Sequence, residues 1–378
     1  MTEQIKPDLN FINSVIDAGG ESLKKCFQCA TCTVVCGVTP DDKPFPRKEM
    51  IYAQWGLKDK LISNPDIWLC HQCSDCTAHC PRGAKPGEVL GAIRKMTIKH
   101  YAAPAALANM VADSKYLLML LALPVIIFLL VIASQGHLTS FPEGKIVYSK
   151  LVPIPFIDGI FTAAAIFAAV AFFGGVKKYW ADMSKGVELK GDLASAVKET
   201  IMEIISHKRF DKCNVTKDRS LAHLLVFFSF IGLAITTTWC VFYLYGNKLL
   251  GIEKFAFFNF GASPYPLYDP LKIVGNISAL ALLTGITLVI SNRMKNKDKA
   301  GEGSYFDWIF IVVIYVIAAS GILSEVLRLA DIAALAYPMY FIHLVFIFFL
   351  FAYAPFSKMA HMVYRTTAMV FAKCSGRG

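Results

Sequence analysis

Several signatures are missing from this chain, and each absence removes a class of protein. There is no Cys-x-x-Cys-His, which excludes covalent c-type haem. There is no Gly-x-Gly-x-x-Gly and no P-loop, so the chain is expected to bind no flavin or nucleotide of its own. Residues 1–25 are polar and lack an apolar run, so no signal peptide is expected and the N-terminal part should stay in the cytoplasm. Acidic residues are outnumbered, 28 against 38 Lys and Arg, giving a net charge of +10. A basic balance can signal nucleic acid. Here the basic residues flank apolar segments, which points to membrane topology and lipid contact, with no nucleic acid partner. A hydrophobic fraction of 55% and a mean hydropathy of +0.49 are too high for an ordinary soluble protein.

Eight of the 11 cysteines form two runs of the same spacing. The first is Cys26-x2-Cys29-x2-Cys32-x3-Cys36, and the second is Cys70-x2-Cys73-x2-Cys76-x3-Cys80, followed by Pro81. This is the ligand spacing of a protein with two 4Fe–4S clusters. Three thiolates of a tight loop surround one cubane, and the displaced fourth reaches the other. Cys26, Cys29, Cys32 and Cys80 are therefore assigned to one cluster, and Cys70, Cys73, Cys76 and Cys36 to the other. Disulfides need an oxidising compartment, and zinc sites use ligand pairs instead of this triple step. Cys36 departs from the pattern in being followed by Gly37 and not by proline.

From about residue 116 the chain turns apolar. Six spans are expected, at roughly 116–134, 157–176, 220–245, 271–291, 306–328 and 337–360, each long enough or nearly so to cross a hydrocarbon core about 30 Å thick. Lys and Arg crowd the segment 177–219, the loop 292–300 and the tail, and are sparse in the alternate loops. This places both termini, the basic loops and the clusters on the cytoplasmic side of an inner membrane. The expected architecture is all-α. A ferredoxin-like two-cluster helical domain over 1–110 precedes a six-helix transmembrane cytochrome b bundle over 111–378, with a cytoplasmic loop at 177–219. Short helices are predicted at 47–55 and 88–99. Residues 193–206 carry apolar side chains at 193, 197, 201, 204 and 205, one face of a helix on the membrane surface, under the cluster domain or packed on the bundle.

Histidines inside apolar spans are costly and usually functional. His223 lies at the cytoplasmic start of the third span. His343 and His361 lie on the sixth, 18 residues apart, so on one continuous helix they share a face and stand about 27 Å apart. His223 and His361, at matching depth, are expected to be the axial ligands of one b-type haem. His343 needs a partner near the outer face. His137 is the histidine at that depth, and the pair would hold a second haem b. A five-coordinate haem, a non-histidine ligand or no second haem are the alternatives. His71 and His79, between cluster cysteines, are read as tuning the clusters, His100 as a linker residue and His207 as interfacial. Glu325 and Arg328, near the outer end of the fifth span, mark a candidate quinone site beside His343. A carboxylate there can accept a proton as quinol is oxidised. An ordinary interfacial Glu325–Arg328 ion pair and Arg328 holding a haem propionate are the competing readings.

These motifs carry a resemblance. The two cysteine runs with Cys80-Pro81-Arg82-Gly83 resemble the C subunit of heterodisulfide reductase. The membrane part is similar to the E subunit of that enzyme and to the gamma subunit of respiratory nitrate reductase. It shares Pro355-Phe356-Ser357-Lys358 followed by His361, the segment His207-Lys208-Arg209-Phe210-x2-Cys213, and Ser320-Gly321-x3-Glu325-x2-Arg328. A fusion of the two parts resembles the C subunit of the quinone-interacting membrane-bound oxidoreductases of sulfate reducers. The resemblance implies menaquinol oxidation in the membrane and electron flow through haem b and the clusters. The recipients would be flavin-containing cytoplasmic subunits resembling the A subunit of heterodisulfide reductase, which supply adenylylsulfate reductase. Leu233 stands where the nitrate reductase gamma subunit has a histidine of its outer haem pair. The competing readings are a membrane subunit of a heterodisulfide reductase or sulfite-linked complex with another carrier, and an iron–sulfur sensor or transporter. A transporter would need polar residues near the midplane, and few are visible.

Overall fold

The computed structural model describes residues 6–215, 219–250, 266–297 and 303–377. Among them every regular element is helical. The six expected spans are present as helices long and apolar enough to cross a membrane, so the protein is a multi-pass membrane protein behind a two-cluster domain. The principal helices are α1 (Arg47–Gln54), α2 (Pro86–Tyr101), α3 (Leu117–Ser134), α4 (Ile154–Met183), α5 (Leu193–Ser206), α6 (Arg219–Leu250), α7 (Pro270–Lys295), α8 (Tyr305–Leu329), α9 (Ala333–Ala352) and α10 (Ala360–Cys374). The spanning helices are α3, α4, α6, α7, α8 and α9. Large apolar side chains such as Leu118, Val170, Phe173 and Ile277 point outward from them, as lipid-facing positions do.

The helix ends follow local chemistry. Asp192 caps α5 by accepting from Ser195 N, and Asp269 caps α7 by accepting from Leu271 N and Lys272 N. Ser304 and Asp307 form a reciprocal capping box at α8. Small residues let helices approach: Gly285 of α7 sits against the backbone of Val226 on α6.

The expectation of one helix carrying both His343 and His361 is overturned. The apolar run continues, but α9 stops at Ala352; a 3-10 turn covers Ala354–Phe356, and a new helix begins at Ala360. Pro355 has no N–H to continue the hydrogen-bond ladder, and Ser357 is extended. His361 therefore stands on α10, outside the span, and its angular relation to His343 is not that of one helix.

That break lets α10 turn onto the cluster domain. Tyr364 stacks on Trp68 with ring centroids 5.6 Å apart, and Tyr101 of α2 meets Tyr179 of α4 at 5.2 Å. Tyr101 also donates to Asp182 at 2.9 Å. One continuous core joins Phe11, Met50, Trp68 and Ile93 of the cluster domain to Tyr179, Phe306 and Tyr364 of the membrane part. Helix α5 forms at the expected residues, but it buries Ala196 and Thr200 and leaves Leu193, Val197, Ile201 and Ile205 exposed.

Candidate redox sites at the two ends of the bundle

The two cysteine loops share one backbone design. Gln28 and Ala30 in the first, and Gln72 and Ser74 in the second, hold positive φ values of 54–70°. Four non-glycine residues in this region at matched positions indicate that the path of the loop is enforced. The short helices Thr31–Val34 and Asp75–Ala78 that follow pack on each other.

Electrostatic neighbours reveal the grouping of the thiols. Burial pushes the Cys32 thiol up to about 11, with Cys26, Cys29 and Cys80 adding to it. Burial pushes Cys36 up to about 12, with Cys70 and Cys73 adding to it. Cys76 is raised by burial, then by Cys70, Cys73, Cys36 and Cys32. Cys80 thus lies near Cys26, Cys29 and Cys32, and Cys36 near Cys70, Cys73 and Cys76. A cavity lies between Cys36, Cys70, Cys73 and Cys76, floored by Val38, Phe45 and Pro46. Among the described residues no three metal-binding side chains converge as a single ion would require. Two quartets of thiols are a donor set that fits two cubanes, one thiol to each iron corner.

The second loop is held by cations from the membrane part. Arg365 donates to His71 Nδ1 at 2.8 Å, Arg219 to Gln72 O at 2.7 Å and Arg209 to Leu69 O at 3.2 Å. From α2, Arg94 donates to Ile67 O at 2.7 Å and Cys70 O at 2.5 Å. Positive charge here favours thiolate and an anionic cluster. Asp75 accepts from Asn214 N and Val215 N at 3.1 and 2.8 Å, and Cys213 is a hydrogen-bond neighbour of Cys73. This contact accounts for Gly37: a Cβ there would lie 2.5 Å from Lys212 O. A proline in that place would collide with the same backbone.

Beside this loop lies a cluster of rings. His71 meets Phe210 edge-on at 4.3 Å, and Phe210 lies 5.0 Å from His223. His207 Nε2 is 3.2 Å from His223 Nδ1. His361 is within Coulombic range of His223, and its Nδ1 bonds to Lys358 O. Both expected haem ligands therefore have Nδ1 engaged by a neighbour, while Nε2 of each has no hydrogen bond among the described residues. A ring with Nδ1 engaged leaves Nε2 as the nitrogen that could ligate a metal. Sequence reasoning treated His207 as interfacial. It is buried, with φ 52° at the end of α5, and supports His223. Its membership in the His207-to-Cys213 segment was the available signal. His79 stays exposed, bonding to Asp75 O at 2.9 Å, and His100 lies exposed at the end of α2.

The opposite end is different in kind. A cavity of about 350 Å³ is lined by Tyr148, Lys272, Glu325, Arg328, Tyr340 and His343 among others. Glu325, Arg328 and His343, expected at similar depth, thus line one space. Lys272 pairs with Glu325 Oε2 at 2.6 Å, and Asn276 donates to its Oε1 at 3.1 Å. The carboxylate partner in the structure is therefore Lys272 and not Arg328. His343 Nδ1 lies 3.0 Å from Ser320 Oγ, and its ring packs over Gly321, where a Cβ would be 2.8 Å from Cε1. His137 sits in the loop after α3, with its N–H on Ile132 O, and is not among the residues that line the cavity.

Fold and sites together define a multi-pass membrane protein with an N-terminal two-cluster iron–sulfur domain. Residues 22–84 match the 4Fe-4S dicluster domain. Residues 106–377, most of the chain, match the model of Citrate utilization protein B, and the chain belongs to that family. It is 23% identical over 366 residues to Citrate utilization protein B of Escherichia coli, covering 92% of this chain and 89% of that one. Its first part is similar to the C subunit of the H(2):CoB-CoM heterodisulfide,ferredoxin reductase of Methanothermobacter marburgensis, 39% identical over 102 residues. That match covers 26% of this chain and 54% of the relative. A protein of Archaeoglobus profundus, named as like the C subunit of heterodisulfide reductase, is 36% identical over 87 residues, covering 23% of this chain and 46% of that one. The chain spans about half the length of these heterodisulfide reductase relatives. No solved structure matches it.

Proposed function

We infer that the protein is the quinol-oxidising membrane subunit of a larger complex, taking electrons from menaquinol and passing them to flavin-containing cytoplasmic subunits. The observation that carries this reading is the cavity that gathers Glu325, Arg328, Lys272 and His343 at the end of the bundle opposite the cysteines. A pocket walled partly by apolar and partly by polar and charged side chains suits a small amphipathic ligand. Glu325 would accept a quinol proton there, with Lys272 and Asn276 fixing its carboxylate. Bound between His223 and His361, haem b would supply a one-electron carrier, and Cys26, Cys29, Cys32 and Cys80, with Cys70, Cys73, Cys76 and Cys36, would hold the two clusters beyond it. The cysteine end would face the cytoplasm. The resemblance to the C subunit of the quinone-interacting oxidoreductases favours adenylylsulfate reductase as the eventual recipient.

The full-length similarity to a protein named for citrate utilization favours a second reading. The internal route is the same, but the soluble partner serves the use of citrate instead of a sulfur compound. Both share one test. The iron- and haem-loaded protein is mixed anaerobically with a menaquinol analogue, while the haem band and cluster resonances are followed. Reduction of both supports the reading. Absence of extractable haem b, or clusters that quinol does not reduce, overturns it.

A further inference from the structure

The two cysteine loops, alike in backbone, differ in what holds them. The second loop is clasped by Arg209, Arg219 and Arg365 from the membrane part and adjoins the His71–Phe210–His223 ring series. The first is held from within the cluster domain. Gln54 donates to Leu23 O and Cys26 O, Arg47 Nε to Gln28 O, and Lys85 N to Ser22 Oγ. Its outer side is open among the described residues. Cys29 is exposed, and beside it Phe27 is 66% and Val34 83% exposed. Arg82 lies 4.1 Å over the Phe27 ring. Lys24, Lys25 and Arg47 are also exposed around this loop.

We propose that this face, centred on Phe27 and Val34 and ringed by Lys24, Lys25, Arg47 and Arg82, is the docking surface for a soluble redox partner with an acidic rim. The proposal rests on the electron-transfer reading above and orders its two clusters. The second quartet faces the membrane histidines, and the first is the exit. Electron transfer falls steeply with distance, so a partner must press directly on the loop that holds the terminal centre. Two bare apolar side chains supply a contact core, and four cations supply steering and orientation. The occupant is a protein and not lipid, because the described contacts with the membrane part fall on the second loop and on Gly37 at the end of the first, and none on Phe27, Val34, Arg47 or Arg82. Each encounter moves one electron from the first quartet's cluster to the partner's acceptor, with no bond made or broken.

The test uses the full chain, cluster-loaded and in detergent, titrated calorimetrically with an oxidised acidic [2Fe–2S] ferredoxin as probe. Binding is expected at low salt and should weaken as salt rises. Phe27→Asp and Arg82→Glu should each raise Kd about tenfold or more. Lys190→Glu, an exposed cation elsewhere, should leave it unchanged. Cluster resonances matching wild type confirm that each variant is folded. The proposal is overturned if wild type does not bind the probe, if Phe27→Asp and Arg82→Glu bind like wild type, or if Lys190→Glu weakens binding equally. It is also overturned if anionic vesicles compete the probe away from this face. No quinol enters the titration. A chain that binds the probe as expected but is not reduced by menaquinol supports the docking face and refutes only the quinol reading.

Discussion

The two ends of the membrane bundle hold their histidines in opposite ways. At the cysteine end His207, His223 and Phe210 pack ring against ring, and four arginines fasten the adjacent loop. At the far end His343 borders a cavity of about 350 Å³ with a carboxylate, a lysine and an arginine in its wall. A packed site can keep a group in place but cannot exchange it. An open cavity with ionisable walls can admit a small molecule and trade protons with it. The pairing of a fixed site and an exchanging one is what an electron-transfer protein between a lipid-soluble carrier and fixed clusters requires.

The largest effects should come from the fixed end. His223→Ala or His361→Ala should each abolish the same low-spin haem signal, because one iron needs both ligands. His343→Ala should leave that signal in place. Optical and electron paramagnetic resonance spectra of the purified variants check this. A haem lost in His343→Ala but kept in His223→Ala would reverse the roles assigned to the two ends.

At the exchanging end, Glu325→Gln keeps the shape of the carboxylate but cannot take a proton. Quinol-driven haem reduction should slow about 100-fold, the lower range for a positioned general base, while the dithionite-reduced spectrum stays unchanged. Lys272→Met should slow it less, since Asn276 still holds Glu325. Stopped-flow reduction measures both. Wild-type rates in Glu325→Gln would move the quinol site away from this cavity.

Much of this arrangement was legible in the chain, where chemistry is encoded locally. Cysteine spacing foretold the two-cluster domain because three- and four-residue steps dictate loop geometry directly. The six spans were legible because hydrocarbon thickness sets their length. The helix break before His361 was not, since hydropathy continues through Ala354–Phe356 while the backbone does not. Lys272 and Asn276 went unseen because they meet Glu325 across 53 and 49 residues, and periodicity carries no information on such pairs. The apolar stripe of α5 was read correctly as a stripe. What lies against it was not encoded: Ala196 and Thr200 turn inward and Leu193, Val197 and Ile201 outward.

A smaller effect should mark the seam between the cysteine end and the membrane part. At Gly37→Ala the new Cβ would lie 2.5 Å from Lys212 O, a backbone atom that cannot swing aside. Overpacking of this kind costs about 1–3 kcal/mol. The thermal midpoint should fall, and the resonance of the second quartet's cluster should broaden more than the first's. Equal disturbance of both clusters would mean that the 208–213 segment does not single out the quartet that includes Cys36.

A pH-dependent effect of similar size concerns how charge secures the fixed end. Glu49 is fully buried; its Oε1 meets Lys48 at 3.3 Å and Asn64 at 3.2 Å, and its Oε2 has no partner among the described residues. Asp66 beside it binds Lys48 at 2.9 Å and Arg377 at 3.2 Å, tying the C-terminal segment to the cluster domain. Burial raises the Glu49 carboxyl from 4.5 to about 7, against the opposing pull of Lys48. The folded form therefore binds this proton more tightly than the unfolded chain. Its contribution to stability is fully present below about pH 4.5 and is lost as pH rises through about 7, a change on the order of 3 kcal/mol at most. Glu49→Gln keeps the hydrogen-bonding shape without the charge. Its thermal midpoint should stay level between pH 5 and 8 where wild type declines, so the variant should be the more stable of the two at pH 8. Midpoints that fall in parallel would show that Glu49 is ionised throughout and that Lys48, not protonation, offsets its burial.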